Sequence, residues 1–221
     1  FGATPSFYNG VITSSLRFDN GSDTYLYDVI DSTPSSTTQT TVSFWVKRAS
    51  LGDQIIFCGY TSAPNVAHYI NFNSADKLVI YLDKTAGGSD ETNWNSGDMV
   101  FRDTTNFYHI LVQYDVGQAS NDNKVKAYVN GSQITLTASQ TGSAVTAHRL
   151  LDSGIRERWG NYFNSGVDFD GYLAEVNVID GQVVSQNSFG ETKNGVWIAK
   201  KYTGSYGNNG YRFQFKETGD G

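Results

Sequence analysis

The chain has 221 residues, a formal net charge of −6 and 14% aromatic residues, which suits one sizeable β domain. The acidic balance argues against nucleic acid as a partner, because binding a phosphate backbone needs clustered Lys and Arg. The single cysteine, Cys58, excludes an internal disulfide, and no stretch approaches the roughly 20 apolar residues that membrane insertion needs.

Short segments in which apolar and polar residues alternate recur along the first half of the chain, separated by turns rich in Gly, Asn, Ser and Thr. Such alternation predicts strands with one buried face. Cys58 falls in one of these segments and is predicted to pack in the core. The predicted strands and short apolar segments are Leu16–Phe18, Tyr25–Tyr27, Thr41–Lys47, Ile55–Tyr60, Tyr69–Phe72 and Lys77–Leu82.

The clearest element is a hairpin formed by Phe107–Asp115 and Lys124–Gly131. Both segments alternate, and a polar, Gly-containing linker joins them. The second ends in Asn130-Gly131, a dipeptide that tolerates the positive φ of a tight turn. We therefore predict a central antiparallel pair of strands.

The rest of the chain mixes strands with two long polar stretches, 84–105 and 150–170, which we predict to be loops. No stretch has the composition of a linker, so we expect one domain over residues 1–221. Because the first residue is Phe1, we expect a processed product or a piece of a longer protein. The remaining predicted elements are strands at Met99–Phe101, Ile134–Leu136, Phe169–Gly181 and Tyr211–Phe215, and a helical turn or two within Val183–Phe189.

Two of these segments resemble laminin-G-like domains of the concanavalin A-like lectin/glucanase superfamily. The similarity lies in the aromatic-His start and Tyr-Val-Asn-Gly end of the central hairpin, and in Phe169–Asp180. It implies an all-β fold, a two-sheet antiparallel β sandwich of the concanavalin A-like jelly-roll type. Residues 189–211, with Gly195–Tyr211 as the main part, also resemble laminin-G-like modules in virion proteins of tailed bacteriophages, marine ones especially.

The superfamily includes glycoside hydrolases, so paired carboxylates need to be considered. Its glucanases carry their acids on one strand as Glu-x-Asp-x-x-Glu, whereas this chain has Asn177 as the middle residue between Glu175 and Asp180. Asp180 is five residues from Glu175 and is therefore predicted to point to the opposite face. We predict a non-catalytic protein, with structural roles for Glu175 and His109.

The resemblance makes calcium the candidate cofactor, because these domains often bind it through carboxylates and carbonyls of rim loops. Calcium takes six to eight oxygen ligands, and no segment here has the spacing of an EF-hand loop. The candidate metal ligands are Asp19, Asp23, Asp115 and Asp122.

Carbohydrate binding needs an aromatic platform with planar polar groups beside it, and the predicted loops at 89–95 and 156–163 contain both. The competing interpretation is that Trp94 and Trp159 anchor these loops onto the sandwich or pack against a neighbouring subunit. The candidate carbohydrate-binding residues are Asp90, Asn93, Trp94, Asn95, Arg156, Arg158, Trp159, Asn161 and Tyr162.

Three functions remain open at this stage. The leading hypothesis is a non-catalytic structural or adhesion domain of a virion fibre, tail or capsid-surface protein, with host-surface glycan as the candidate ligand. Its other expected partners are virion proteins or identical subunits. The second hypothesis is a purely architectural virion domain, and the third is a polysaccharide-degrading glycoside hydrolase.

Overall fold

The structure is a computed structural model that describes residues 10–62, 65–84, 90–163 and 166–216. Among these residues, no helix combines the length and the apolarity that crossing a bilayer requires. They contain one short α-helix, α1 (Asn121–Lys124), and a 3₁₀ helix at Gln186–Ser188. Their strands are β1 (Leu16–Phe18), β2 (Leu26–Val29), β3 (Gln39–Arg48), β4 (Gln54–Ser62), β5 (Asn65–Phe72), β6 (Leu78–Asp83), β7 (Glu91–Asn95), β8 (Tyr108–Asp115), β9 (Val125–Val129), β10 (Ser132–Ile134), β11 (Thr137–Thr141), β12 (Arg156–Trp159), β13 (Gly171–Asp180), β14 (Gly190–Lys193), β15 (Val196–Ala199) and β16 (Tyr211–Phe213).

The strands form two seven-stranded antiparallel sheets. Sheet A has the order β1-β13-β3-β8-β9-β10, with β16 also paired to β13, and sheet B has the order β11-β7-β6-β5-β4-β12-β2. Strands β14 and β15 form a separate hairpin. The predicted all-β sandwich is therefore confirmed, and so is the central hairpin, which is the β8–β9 pair.

The space between the sheets is filled by alternate side chains of both. Val42, Phe44 and Val46 of β3 are fully buried there, and so is Trp94 of β7. Fully burying a side chain of this kind contributes roughly 1.5–3 kcal/mol. The apolar residues at every second position, which predict the strands, are thus also the residues that fill the core.

The outer face of sheet A is covered by the C-terminal part of the chain. Trp197 of β15 lies over Gly131, where a Cβ atom would come within 2.4 Å of the indole ring. The Trp197 indole donates a hydrogen bond to Nδ1 of His109 at 2.9 Å, and Nε2 of His109 lies 2.9 Å from the Ser43 hydroxyl. His109 is structural, as predicted, although it is fully rather than half buried. Its burial lowers its pKa to about 3 and keeps the ring neutral.

The two predicted loops contain strands that the sequence analysis does not predict. Residues Glu91–Asn95 form β7 and Arg156–Trp159 form β12, so the loop predictions for these two segments are wrong. Polar residues occupy alternate positions in both strands and mask the apolar face. The strand predicted at Met99–Phe101 is also wrong. This segment is irregular, and its Phe101 side chain enters the core.

Glu175 sits at an irregularity of β13. Its φ is +46°, and the pairing with β3 shifts register between Ala174 and Asn177, so a β-bulge interrupts the strand. The Glu175 carboxylate accepts a hydrogen bond from Arg212 Nε at 2.7 Å. Glu175 therefore ties β13 to the closing strand β16.

One end of the sandwich is held by a buried ion pair. The fully buried guanidinium of Arg48 donates to Asp76 at 3.0 Å and to the carbonyl oxygens of Phe101 and Gly52, each at 2.8 Å. The Asp76 carboxylate also accepts from Arg102 Nε at 2.9 Å. This network joins β3 to the β5–β6 turn and to the chain that follows β7.

A buried carboxyl group lies on the inner face of β12. Glu157 is 2% exposed and accepts a hydrogen bond from the Tyr211 hydroxyl at 2.9 Å, while Tyr211 accepts from the Trp159 indole at 2.8 Å. Burial is the largest cause that raises the pKa of Glu157, to about 7. Glu157 is therefore protonated in the folded protein at a pH at which the unfolded chain has released that proton.

We predict that Asp76→Asn lowers the free energy of unfolding by about 3 kcal/mol or more, because it leaves the buried Arg48 charge without its counter-ion. Arg102→Gln is the matched control. It breaks the contact of Asp76 with a side chain that is 61% exposed and should cost no more than about 1 kcal/mol. Urea unfolding of both variants measures the difference, and equal losses would contradict the prediction.

We predict that Glu157→Gln gains stability over the wild type as the pH rises from about 4.5 to about 7. In this window the unfolded chain loses its Glu157 proton while the folded protein retains it, so the wild type is destabilised with rising pH. His68 and His148, whose pKa values burial lowers to about 3 and about 4, act in the opposite direction in both proteins. The difference in unfolding free energy at each pH isolates Glu157, and parallel curves would refute its role.

Candidate functional site

The candidate site is built on β12, an inner strand of sheet B. Its side chains alternate, so Glu157 and Trp159 face the core while Arg156 and Arg158 face outward. After β12 the chain turns back over the outer face of sheet B. The Asn161 carbonyl accepts a hydrogen bond from the Cys58 thiol at 3.4 Å, which places residues 161–163 above β4.

A pocket of about 370 Å³ opens where this segment meets the loop before β2. Its lining combines aromatic, amide, basic and acidic side chains, the set that sugar hydroxyls and the apolar face of a sugar ring require. Four candidate residues of the sequence analysis come together here, three from the carbohydrate set and one from the metal set. The lining residues are Asp23, Tyr25, Arg158, Asn161, Tyr162, Phe163, Gly166 and Asp168.

Arg158, which lines the pocket, is held by tyrosine rings. Its guanidinium carbon lies 4.4 Å from the ring centre of Tyr25, 5.4 Å from that of Tyr60 and 5.7 Å from that of Tyr27. One terminal nitrogen donates to Asn161 Oδ1 at 2.9 Å. These cation–π contacts fix the side chain without an ion pair within 4.0 Å among the described residues.

Two carboxyl groups share the acidic side of the pocket. Asp168 is 5% exposed and accepts from the Tyr162 backbone N–H at 3.4 Å, and Asp23 lines the same pocket. Burial is the main cause that raises the pKa of Asp168, and the charge of Asp23 raises it further. The pair presents oxygen acceptors to a ligand.

The outer face of sheet B continues from the pocket as a row of residues in register. The rings of Tyr69 and Tyr81 stack with centres 4.5 Å apart and planes 4° apart. Tyr69 donates to Asn93 Oδ1 at 3.4 Å and Tyr81 to Glu91 at 2.7 Å, so both rings lean toward β7. From β11 to β2 the row consists of Ser139, Asn93, Tyr81, Tyr69, Cys58, Arg158 and Tyr27.

The predicted aromatic platforms Trp94 and Trp159 do not belong to this surface. Trp94 is fully buried and donates to the Asn121 carbonyl at 2.9 Å, and Trp159 is 2% exposed and stacks on Phe57 at 4.3 Å. Each occupies the inward position of its strand, so their assignment to a carbohydrate platform is wrong. The competing interpretation, in which they anchor their segments to the sandwich, matches their positions.

The other carbohydrate candidates lie outside the pocket. Asn93 and Asn95 face outward on β7, but Asn95 is used by its own turn, where it accepts from the Gly97 N–H at 3.0 Å. Asp90 accepts from the Ser143 N–H at 2.7 Å, and Arg156 donates to the Thr61 carbonyl. Ser89, which begins the first candidate segment, lies outside the described residues.

The candidate calcium ligands are dispersed. Asp19 accepts from the Gly21 N–H and the Ser22 hydroxyl, both at 3.0 Å, and Asp115 accepts from Gln118 at 2.7 Å. Asp122 is exposed on α1, and only Asp23 enters the pocket. In the part of the chain that the structure describes, no three His, Cys, Asp or Glu residues form a group that could hold a metal ion. The described carboxylates alone therefore do not supply the ligand set that calcium prefers.

Tyr25, Phe163, Gly166 and Asp168 of the pocket, and Tyr69 and Tyr81 beside it, were not candidates in the sequence analysis. Asp168 fell within the loop predicted at 150–170, and Tyr69 and Tyr81 fell within the strands predicted at Tyr69–Phe72 and Lys77–Leu82. Side-chain alternation could have identified the two tyrosines. The sequence neighbours of each are buried in the core, so the tyrosine itself points to the outer face. Cys58, in contrast, is buried as predicted, and burial raises its pKa to about 12.

Comparison with known proteins gives a family and a set of similar structures. A family model described as the concanavalin A-like lectin/glucanases superfamily matches residues 20–188, which is more than half of the chain. A heptameric SAP-like pentraxin from Limulus polyphemus is 15% identical, with a TM-score of 0.53 and 77% of each chain covered. No protein with a curated description matches in sequence.

Two further structures share the fold over a part of their own length. A candidate carbohydrate-binding protein from Bacteroides ovatus is 16% identical, with a TM-score of 0.50 over 78% of this chain and 44% of that one. The enzymatically active domain of bacteriophage CBA120 tailspike protein 2 is 15% identical, with a TM-score of 0.51 over 79% of this chain and 26% of that one. At these identities the similarity shows the fold alone.

Proposed function

The chain belongs to the concanavalin A-like lectin/glucanases superfamily, and from this premise we propose that it is a non-catalytic domain that binds carbohydrate on the outer face of sheet B. The observation that carries the proposal is the pocket around Arg158. It brings an aromatic wall, an amide and two carboxyl groups around one fixed guanidinium. Sugar recognition uses planar hydrogen-bonding groups beside an apolar surface, and this lining provides both.

The absence of catalysis is part of the proposal and is supported by β13. Glu175 is 3% exposed and is engaged by Arg212, so it is poorly placed to reach a substrate. Asp180 is 1% exposed and accepts from the Ser35 and Asn209 backbone N–H groups at 2.7 and 3.1 Å. Reducing-sugar release from host polysaccharide, abolished by Glu175→Gln, would support the alternative of a glycoside hydrolase instead.

We also propose that the domain belongs to a virion, as part of a fibre, tail or capsid-surface protein that faces host glycans. The resemblance of residues 189–211 to laminin-G-like modules of phage virion proteins supports this setting. Virion proteins or identical subunits would be its neighbours.

Calcium binding at Asp23 is a further proposal. Ligands other than the described side chains would have to complete its set of oxygen ligands. A rise in melting temperature with added calcium tests it.

We predict that Arg158→Met lowers the affinity for the best glycan on an array by at least tenfold, because the variant keeps the packed stem and loses the hydrogen bonds. The matched control is Arg17→Met. Arg17 also lies over a tyrosine ring, Tyr172 at 5.4 Å, but on β1 of sheet A. Calorimetric titration of both variants, with circular dichroism to verify folding, gives the comparison. Equal affinities would remove the pocket from the proposal, and a wild type that binds no glycan would favour the purely architectural role.

We predict that gold-labelled antibody against the domain decorates the surface of intact particles purified from the source culture. The reason is that a domain that contacts host glycans has to be accessible on the outside of the particle. Electron microscopy of labelled particles is the measurement, and an antibody against an internal virion protein is the control. Labelling confined to disrupted particles would place the domain at a buried joint.

A further inference from the structure

The pocket carries more negative than positive charge. Asp23 and Asp168 supply two carboxyl groups, whereas Arg158 supplies the one guanidinium of the lining. A ligand in the pocket therefore meets two carboxyl groups and one guanidinium.

The positive charge of Arg158 is already directed toward protein groups. Its guanidinium lies against the faces of Tyr25, Tyr60 and Tyr27, and one of its nitrogens is used by Asn161. Its Nε atom is buried and has no hydrogen-bond partner among the described residues. Arg158 consequently offers only part of the planar fork that a carboxylate or phosphate group binds in a bidentate manner.

We infer that the pocket selects neutral sugars and rejects sugars that carry a carboxylate, sulfate or phosphate group, with Asp23 and Asp168 as the specificity-determining residues. The inference rests on the proposed carbohydrate binding at the same pocket. The two carboxyl groups of the lining accept hydrogen bonds from sugar hydroxyls, which are donors. An anionic substituent brings no donor and places a further negative charge beside them, so it is repelled.

The experiment compares pairs of glycans that differ only in one anionic substituent, for example a neutral oligosaccharide and its sialylated or sulfated form. Affinities are measured by calorimetry for the wild type, Asp168→Asn and Asp23→Asn. The control is Asp98→Asn, which removes the same charge from an exposed turn beyond β7. About four inter-strand spacings, roughly 19 Å, separate β7 from β12.

The wild type is expected to bind the neutral glycan at least tenfold more tightly than its anionic partner. Either pocket variant should reduce this ratio at least threefold, and Asp98→Asn should leave it unchanged. A wild type that binds the anionic glycan as tightly as the neutral one overturns the inference and leaves the proposed function standing. A ratio that Asp98→Asn changes as much as Asp168→Asn assigns the effect to net charge and also overturns it. Failure of every glycan to bind refutes the proposed function itself.

Discussion

The burial of Trp159 is the constraint on which the candidate site depends. Its indole stacks on Phe57 at 4.3 Å, meets the edge of Phe44 at a ring distance of 5.8 Å and donates to Tyr211. Because side chains alternate along a strand, a Trp fixed inward at this position forces Arg158 outward. The same anchor sets where the chain leaves β12 and so where Asn161 and Tyr162 return over sheet B. A one-residue slip of β12 would exchange the two sets and bury the guanidinium between the sheets.

The interior next to this anchor is unusually polar. On the inner face of sheet B, one register row contains Thr92, Leu82, His68, Gly59 and Glu157. The His68 ring lies over Gly59, where a Cβ atom would come within 2.1 Å of it, so the glycine makes room for the imidazole. Both His68 nitrogens, Thr92 Oγ1 and Glu157 Oε1 are buried without a partner among the described residues. Keeping His68 and Glu157 uncharged is the least costly way to bury them, which agrees with the directions of their pKa shifts.

Strands could be predicted from sequence where apolar residues mark one face, even in the three-residue β1. Strand β3 has Val42, Phe44 and Val46 in strict alternation and is predicted within two residues at its start. Strands β7 and β12 are short, and their outward residues are Asn, Glu and Arg. Their composition therefore indicates loops, although inward and outward residues alternate as in a strand.

The pocket could be predicted only in part. Its residues on β12 and the segment after it share a short stretch of sequence, whereas Asp23 and Tyr25 meet them through the pairing of β2 with β12. Pairing between strands so far apart in the chain depends on the register of the whole sheet.

The different fates of the two outer faces favour binding over a purely architectural role. The outer face of sheet A is closed by the chain itself, through Trp197 on His109 and through the packing of Phe189 and Tyr202 against Leu111 and Ile179. Among the described residues, the outer face of sheet B has no comparable apolar cover. It carries the stacked Tyr69 and Tyr81, amide side chains, and Arg158, whose guanidinium lies against tyrosine rings. A surface that serves only to pack against another protein gains little from a polar pocket, because every buried polar group there needs its own partner. A ligand rich in hydroxyl groups, as the proposed function requires, would bring both donors and acceptors for the amides, the carboxylates and the guanidinium of this face.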